Sequence, residues 1–258
     1  MDACVVADEK ISTGASPAGV TGEREVSRWV RGMFDDVAPR YDLLNHVLSG
    51  NIDRYWRWRT VKQFRDVLAR ADARVLDLAC GSGDLLQAMG GDTTKAMRIG
   101  GDFSHGMLKA AKTKLPTVPL VEADALQLPL AANSLDLITM GFGFRNLANY
   151  RAGCVEMLRV LKPGGQAAIL EFSTPPNALF RGFYNWYSFQ VLPRIGALLT
   201  KGLSGGEASN AYKYLPASVK KFPDAPDLSV LMKSAGFAEV RYERMTFGIV
   251  ALHVGRKA

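Results

Sequence analysis

Val75-Leu76-Asp77-Leu78-Ala79-Cys80-Gly81-Ser82-Gly83-Asp84 is the stretch of sequence that decides the fold. A short apolar run that ends in a glycine turn is typical of a buried parallel strand followed by a helix. Glycine accepts positive φ and lets a ligand approach the backbone closely, and the start of the helix directs amide donors toward an anionic group. The stretch therefore predicts a strand, a ligand-binding turn and a helix, with Gly81 and Gly83 at the ligand.

The alternation of strands and helices continues along the chain. Apolar runs predict strands at 74–79, 97–101, 119–122, 135–140 and 166–172, and two closing strands at 240–242 and 249–254. Helical spacing is found at 25–68, 104–115, 150–161 and 228–235, with Ser104 as an N-cap. Such alternation predicts an α/β fold with a doubly wound, mostly parallel seven-stranded sheet. N-terminal helices precede the sheet, and a helical insertion follows strand five.

The domain organisation follows from the same pattern. Residues 1–22 are rich in Ser, Thr, Gly and Ala and show no periodicity, so they are predicted to form a flexible tail. Residues 23–258 are predicted to form a single domain. The segment 173–222 interrupts the alternation with an aromatic, helical insertion, which is the predicted substrate lid.

Composition limits the classes of function. Hydrophobic residues make up 48% and charged residues 22% of the 258 residues, which excludes wholesale disorder. The net charge of +7 favours anionic partners or serves solubility alone. Three scattered cysteines and three histidines form no metal-ligand spacing, so we predict no metal. The sequence shows no secretory signal and no long apolar run, so we predict a cytoplasmic protein. Peripheral association with the inner face of the membrane is left open as an alternative.

Three carboxylates are predicted at the ligand-binding edge of the sheet. Asp77 suits a cationic amine, such as that of the amino-acid part of S-adenosylmethionine. Asp102 ends the second strand, where an acid binds ribose hydroxyls, and Asp124 follows the third strand, where it can accept a bond from an adenine amino group. A dinucleotide fingerprint requires a third glycine, but Leu86 occupies that position.

With these residues in place, the chain resembles the class I S-adenosylmethionine-dependent methyltransferases, and among them the ubiquinone/menaquinone biosynthesis C-methyltransferases. The resemblance runs from about residue 28 to 256. The stretches that carry it are Met33-Phe34-Asp35-Asp36-Val37-Ala38-Pro39-Arg40-Tyr41-Asp42-Leu43-Leu44-Asn45, Gly141-Phe142-Gly143-Phe144-Arg145-Asn146, Arg159-Val160-Leu161-Lys162-Pro163-Gly164-Gly165, Leu170-Glu171-Phe172-Ser173, Tyr187-Ser188-Phe189-Gln190-Val191-Leu192-Pro193-Arg194-Ile195-Gly196 and Val250-Ala251-Leu252-His253.

The resemblance implies methylation of a ring carbon of a prenylated quinol. The expected substrate is demethylmenaquinol and the expected product is menaquinol. It implies S-adenosylmethionine contacts at Ser82, Asp102, Asp124, Ala125 and Gly141. Many relatives have serine where this chain has Gly141, so only a backbone contact is expected there. Threonine is frequent in relatives at the position of Ser82, which keeps the hydroxyl.

Arg145, Asn146 and Tyr41 are the predicted catalytic residues. A quinol ring becomes nucleophilic as its hydroxyl loses its proton, and a cation or donor near the oxygen assists this. Arg145 is predicted to stabilise the phenolate and Asn146 to orient it; alternatively, Arg145 is a structural ion-pair partner. Tyr41 and His46 line the substrate side or pack as ordinary helix residues.

Two aromatic and basic segments leave alternatives open. The start of the insertion, 179–199, suits a lid over a greasy substrate, a face lying on a bilayer, or a helix packed on the core. The cluster Arg54, Trp56, Arg57, Trp58 and Arg59 suits membrane contact, a cover for the cofactor, or a solvated helix face. The sequence also leaves open whether the chain forms a homodimer.

Competing functions are a methyltransferase for a ubiquinone-pathway benzoquinol, one for another small hydrophobic acceptor such as a sterol or a phenolic compound, and a cofactor- or RNA-binding module. The sequence shows no RNA-binding motif and no base-flipping motif, so no nucleic-acid partner is predicted.

Overall fold

The computed structural model describes residues 11–38, 46, 49–186, 190, 214 and 217–258. Among these, the helices are α1 (Glu23–Val37), α2 (Ile52–Lys62), α3 (Arg65–Leu68), α4 (Asp84–Ala88), α5 (His105–Lys114), α6 (Tyr150–Val160), α7 (Ala178–Trp186) and α8 (Ala225–Ala235). The strands are β1 (Arg74–Leu78), β2 (Met97–Asp102), β3 (Leu120–Glu122), β4 (Leu135–Gly141), β5 (Leu161–Phe172), β6 (Glu239–Met245) and β7 (Val250–Arg256).

One sheet organises the chain in the order β3-β2-β1-β4-β5-β7-β6. The first five strands pair in parallel, and β7 pairs antiparallel with both β5 and β6. The predicted seven-stranded, doubly wound α/β fold is confirmed. The strand order reverses between β1 and β4, so a crevice opens beyond the carboxyl ends of these two strands.

Apolar side chains on both faces of the sheet form the core. Leu76, Ile138 and Ile169 belong to the cluster on one face, and Val75, Leu137 and Leu170 belong to the cluster on the other. Alternate residues of a strand point to opposite faces, so helices must cover each side. This explains why the central strands are almost continuously apolar, and why the chain alternates between strands and helices.

Local signals set the helix ends. The Ser104 hydroxyl accepts a hydrogen bond from the Met107 amide at 3.1 Å, so the predicted N-cap of α5 is confirmed. Gly236 ends α8 in the left-handed conformation, at φ 117°. Strand β5 begins five residues earlier than the predicted 166, because Leu161 pairs with Leu135 before a register shift in that strand pair.

The segment 11–22 is packed against the sheet domain, contrary to the flexible tail predicted for it. The Ser12 hydroxyl donates to the Ala148 carbonyl at 2.7 Å, the Ala15 amide donates to the Leu147 carbonyl at 2.8 Å, and Ala15 is buried. Small residues that look unstructured in sequence can therefore dock where a groove accepts them. Residues 1–10 of the predicted tail lie outside the described residues.

None of the helices in the described part of the chain combines the length and the hydropathy that a membrane crossing requires.

Candidate functional site

A cleft with about 670 Å³ of empty volume opens at the carboxyl ends of β1, β2 and β4. Its lining includes six residues predicted from sequence to bind ligand or substrate: Gly81, Asp102, Asp124, Ala125, Gly141 and Asn146. Helix α1 closes one side through Ser27 and Phe34. The strand order thus brings together residues that are up to 65 positions apart in the chain, from Gly81 to Asn146.

Two non-glycine residues on the wall of the cleft have left-handed backbone conformations. Ala79 has φ 51° and Phe142 has φ 61°. Such conformations are uncommon for side-chain-bearing residues and are concentrated at binding sites. The loop after β1, which carries Ala79, and the loop after β4, which carries Phe142, approach each other closely. This explains the glycine at position 143, because a Cβ there would lie 2.6 Å from the Ala79 Cβ.

Asp102 lines the cleft with its carboxylate held rigidly. Its Oδ2 accepts from the Gly81 amide at 2.8 Å and its Oδ1 accepts from the Ser104 amide at 2.9 Å. Burial raises the pKa of Asp102, against the opposing effect of these amide hydrogen bonds. Each carboxylate oxygen can accept a second bond, so the group can still receive two vicinal hydroxyls.

Asp124 stands farther along the same wall and is exposed. Its Oδ1 accepts from the Leu126 amide at 2.9 Å, which fixes the turn and leaves the second oxygen available to a donor in the cleft. Apolar residues, including Phe103, Met107 and Leu126, lie around it. An aromatic ring system with an exocyclic amine matches this combination of acid and apolar wall.

Asp77 lies behind the wall rather than on it. The side chain is fully buried and its Oδ1 accepts from the Thr139 hydroxyl at 2.7 Å. Burial raises the pKa of Asp77 to about 7. Ser82 is also buried, near Lys114 Nζ at 3.4 Å, and Gly83 begins α4 at φ 89°. These three predicted residues therefore support the loop from behind, while Gly81 faces the cleft.

Asn146 presents a buried carboxamide to the cleft. The residue is 8% exposed, and neither its Nδ2 nor its Oδ1 has a hydrogen-bond partner. Leaving both amide groups of a buried asparagine unsatisfied costs roughly 1–3 kcal/mol for each group. A ligand with both a donor and an acceptor can remove that cost, so this side chain is the clearest pointer to a bound polar molecule.

Arg145 forms the ion pair that the sequence left open as an alternative. Its Nη1 donates to Glu171 Oε1 at 3.0 Å and also to the Phe142 carbonyl. Glu171 is only 1% exposed and, through Oε2, accepts from the Arg145 amide at 3.2 Å as well. The pair therefore holds the turn Phe144–Asn146 against β5 and sets the direction of Asn146.

Glu171 and Tyr214 are residues that sequence reasoning missed. An acid inside the apolar run of β5 is the signal that could have revealed Glu171. The Tyr214 hydroxyl is buried near the Arg145–Glu171 pair, and burial raises its pKa to about 12, so it stays protonated. Tyr41, the third predicted catalytic residue, lies outside the described residues.

The predicted basic and aromatic cluster on α2 is divided between two faces of the helix. Trp56 and Arg57 are buried, and their side chains contact the ring of the cleft residue Phe142, with Trp56 at 5.8 Å between centroids and Arg57 at 5.9 Å from the ring centroid. Arg54 and Trp58 are exposed. The cofactor-covering alternative thus fits the inner face of α2.

A charge network joins α2 to the glycine turn. Arg57 pairs with Asp53 and, at 3.2 Å, with Asp84, while Lys114 pairs with Asp84 at 2.6 Å. His46 Nδ1 lies 2.9 Å from Asp53 Oδ2, so His46 belongs to this network. The sequence had left open whether it lines the substrate side. Although burial opposes it, hydrogen bonds from Ser49 and Arg57 lower the pKa of Asp53.

The same residues include a trio whose ligand atoms lie within 4.8 Å of one another: His46, Asp53 and Asp84. Two cationic side chains already neutralise the two carboxylates. This arrangement has the chemistry of an ion-pair network that supports the loop.

His253 and His105 have structural surroundings. His253 is buried in β7, and its Nε2 donates to the Ala225 carbonyl at 2.8 Å. Burial lowers its pKa to about 4, so the ring is neutral. His105 begins α5 and lies 3.3 Å from Glu122 at the surface.

The comparisons with known proteins agree with this geometry. The model of the ubiE/COQ5 methyltransferase family matches residues 20–257. A protein named demethylmenaquinone methyltransferase from Thermus thermophilus is 43% identical over 86% of this chain and 99% of its own length. One of the same name from Deinococcus radiodurans is 41% identical over 92% and 96%.

A Geobacter sulfurreducens protein named ubiquinone/menaquinone biosynthesis C-methyltransferase UbiE is 40% identical over 88% of both chains. Among solved structures, a SAM-dependent methyltransferase from Thermotoga maritima aligns with a TM-score of 0.60 at 17% identity, covering 89% of this chain and 100% of that one. An SAM-dependent methyltransferase from Archaeoglobus fulgidus aligns with a TM-score of 0.56 at 14% identity over 84% and 99%. These structural matches concern the fold.

Proposed function

The chain belongs to the ubiE/COQ5 methyltransferase family and is an S-adenosylmethionine-dependent methyltransferase, and from this premise we propose that it methylates a ring carbon of demethylmenaquinol to give menaquinol. The unsatisfied Asn146 carboxamide in the cleft carries the proposal, because a quinol hydroxyl is both a donor and an acceptor. The two relatives named demethylmenaquinone methyltransferase favour the naphthoquinol ring. The name of the Geobacter relative, which also mentions ubiquinone, keeps a benzoquinol as the second candidate.

S-adenosylmethionine supplies an electrophilic methyl group on a sulfonium when it is bound. The cleft fits such a molecule: we propose that Asp102 binds the ribose hydroxyls and Asp124 the adenine amine. Ala125, Gly81 and Gly141 shape the wall at these positions. Asp77, Ser82 and Gly83 act from behind by fixing the glycine turn.

The protein's own contribution to the chemistry is alignment and charge stabilisation. Asn146 Nδ2 donates to the ring oxygen of the acceptor and stabilises the negative charge that grows there as the hydroxyl passes its proton to water at the open mouth of the cleft. The ring carbon that gains the methyl group then loses its own proton to the same water, which restores the aromatic quinol. The positive charge of Arg145 lies behind Asn146 and adds to the stabilisation of the ring oxygen. Together with Glu171, Arg145 also holds Asn146 in place. We also propose that Tyr41, a prediction from sequence, acts on the acceptor side.

The acceptor is hydrophobic, so we propose that the protein meets it at a membrane surface as a peripheral protein of the cytoplasmic face. The apolar part of the lining, with Phe34, Phe142 and Leu147, suits a ring from which water is excluded. A segment within 173–222 is the proposed lid.

The test is methyl transfer by the purified protein from labelled S-adenosylmethionine to a chemically reduced, short-tailed demethylmenaquinol. We expect label on the ring carbon. The variant Asn146→Leu should lower kcat on the order of a hundredfold, as loss of one donor to a developing oxyanion does. The matched control Gln87→Leu removes an exposed amide and should change kcat by less than about twofold, in line with the small effects of most surface substitutions.

Transfer to none of the reduced naphthoquinols and benzoquinols, despite measured S-adenosylmethionine binding, would overturn the proposal. Transfer to benzoquinol alone would replace the proposed acceptor with the second candidate. In the source cell, loss of the gene should lead to accumulation of the demethylated quinone, which identifies the acceptor independently.

A further inference from the structure

Exposed apolar side chains are concentrated where β6 turns into β7. Phe247, in that turn, is 78% exposed and Leu179, near the start of α7, is 87% exposed. The Phe180 ring packs beside Phe247 with 5.1 Å between centroids. These three residues, with Pro176 and Arg244, line an open groove with an empty volume of about 1000 Å³.

The backbone of this turn is unusual. Thr246 has φ 50° and Phe247 has φ 56°, although neither is glycine. A β-branched residue rarely takes this conformation, and a turn that merely joins two strands normally uses Gly or Asn there. Trp56 Nε1 donates to Thr246 Oγ1 at 2.7 Å and helps to hold the turn. The fold thus keeps a phenylalanine directed into solvent in a conformation that disfavours it.

Helix α2 extends this apolar area. Trp56 bonds to Thr246 at the turn, whereas Arg59, almost one helical turn later, bonds to Glu243 farther down β6 at 3.0 Å. The beginning of α2 therefore lies at the turn. Ile52 is 43% exposed and Tyr55 is 50% exposed there, and both lie at helical spacing from Arg59 on the side that faces β6. We call Ile52, Tyr55, Leu179, Phe180 and Phe247 the turn surface.

The surroundings of the turn surface are cationic in the described part of the chain. Arg54 is exposed on α2 and precedes Tyr55, Arg181 lies two residues after Leu179 on α7, and Arg244 borders the groove. The sequence of α7, Ala178–Trp186, contains no acidic residue. On the neighbouring elements, Glu243 of β6 is paired with Arg59 and Asp53 of α2 is paired with Arg57. An apolar surface with a basic border is complementary to an anionic bilayer.

A layer of aromatic rings connects the turn surface with the cleft. Trp56, which bonds to the turn, lies 6.3 Å from Phe172 and 5.8 Å from Phe142 between ring centroids. Phe142 lines the cleft. A hydrophobic molecule held in a bilayer at the turn surface is therefore one layer of side chains away from the site of methyl transfer.

We propose that the turn surface docks on an anionic lipid bilayer, with Phe247 and Leu179 entering the boundary between headgroups and acyl chains and with Arg54, Arg181 and Arg244 contacting lipid phosphates. The proposal rests on the proposed function, because a prenylated acceptor is dissolved in such a bilayer. A second copy of the chain fits the surface poorly, since a two-fold interface would bring the same cationic border against itself.

The test is flotation of the full-length protein with vesicles made of equal parts phosphatidylglycerol and phosphatidylcholine. The double variant Leu179→Ser/Phe247→Asn removes the two most exposed side chains, and asparagine tolerates the backbone of the turn. We expect vesicle affinity to fall at least about tenfold, since each inserted side chain contributes apolar burial. The control Val155→Ser/Val230→Ser removes exposed apolar groups from α6 and α8 and should keep affinity within about twofold.

A second variant, Ile52→Ser/Tyr55→Ser, tests the α2 part of the surface and serves as an independent check if the first variant unfolds. Wild-type binding should weaken with added salt and with neutral phosphatidylcholine alone, because the border acts through charge. Failure of the wild-type protein to bind anionic vesicles would overturn the proposal, as would equal losses in the turn-surface and control variants. Self-association that the turn-surface variants abolish, without vesicle binding, would instead assign the surface to a second copy.

Methylation separates this proposal from the proposed function. The single variant Phe247→Asn, whose residue lies outside the proposed lid segment 173–222, should methylate a short-tailed, water-soluble quinol at the wild-type rate, and should lose activity only toward long-tailed quinol in vesicles. If no quinol is methylated but vesicle binding depends on the turn surface, the proposed function fails and the docking surface stands.

Discussion

The buried ion pair behind Asn146 gives the sharpest quantitative prediction. Arg145 Nη1 donates to both oxygens of Glu171, at 3.0 and 3.2 Å. The two side chains are 6% and 1% exposed, so water cannot replace either partner. The variant Glu171→Gln keeps the shape of the side chain and removes the negative charge that Glu171 sets against the buried Arg145 guanidinium.

The expected loss in unfolding free energy is about 3 kcal/mol, at the lower end of the roughly 3–5 kcal/mol for breaking a buried pair from one side. We use the lower end of this range because one hydrogen bond survives the substitution. In the wild-type protein the Phe172 amide donates to Glu171 Oε1 at 2.8 Å, and the glutamine oxygen can accept the same bond. With a urea slope of about 1–3 kcal/mol per molar, the unfolding midpoint should fall by about 1 M or more.

Equilibrium urea unfolding followed by circular dichroism measures this loss. The matched control is Asp72→Asn, which breaks the solvent-exposed pair between Arg70 and Asp72 and should leave the midpoint unchanged. The double variant Arg145→Met/Glu171→Gln should regain part of the lost stability, because the buried positive charge is removed together with its negative partner. A loss below about 1 kcal/mol in Glu171→Gln would refute the reasoning that burial makes Arg145 depend on Glu171.

Three further changes test the site and the core. Asp102→Ala should weaken S-adenosylmethionine binding more than about tenfold in calorimetry, as loss of a bidentate ribose contact worth over about 1.4 kcal/mol does; unchanged affinity would place the ribose elsewhere. Gly141→Ser should bind S-adenosylmethionine at least as tightly, since its Cβ would meet only the flexible end of Leu85 at 3.2 Å; a loss above about tenfold would contradict an open wall there. The folded-state pKa of His253 lies near 4, below its ordinary 6.5, so its contribution to stability is complete above pH 6.5 and is lost as the pH falls toward 4, by about 1.4 kcal/mol per unit. His253→Gln should flatten the stability profile in that window, and an unchanged slope would show that another group titrates.

Hydrophobic periodicity and turn residues were sufficient to predict most of the strands and helices from the sequence. The predicted strands at 97–101 and 135–140 differ from the observed Met97–Asp102 and Leu135–Gly141 by one residue at one end. The prediction failed at 11–22, because docking of a small-residue segment depends on the groove that receives it. Within the site, Asp102, Asp124 and Gly141 line the cleft as expected, since the ends of parallel strands share one edge.

The roles of individual polar residues were less accessible from sequence. Asp77 was expected beside the ligand, but Thr139 on the neighbouring strand accommodates it inside the core. Arg145 was predicted to stabilise the acceptor, with a structural ion pair as the alternative, and Glu171, 26 positions later, forms that ion pair. Both outcomes depend on which side chains the sheet brings together: Thr139 lies opposite Asp77 on the adjacent strand β4, and Glu171 on β5 lies beside the turn that carries Arg145.

The sequence by itself determined the α/β sheet, the ligand-binding turn within Asp77–Asp84, the class of cofactor and the resemblance to quinol C-methyltransferases. These are properties of local pattern: apolar period, glycine position and the spacing of acids after strands. Only the tertiary structure decided which of those acids face the cleft, that Asn146 and not Arg145 lines it, and that the exposed Phe247 and Leu179 line one groove. The reason is physical: burial, pairing and exposure are relations between residues distant in the chain, and the packed fold sets them.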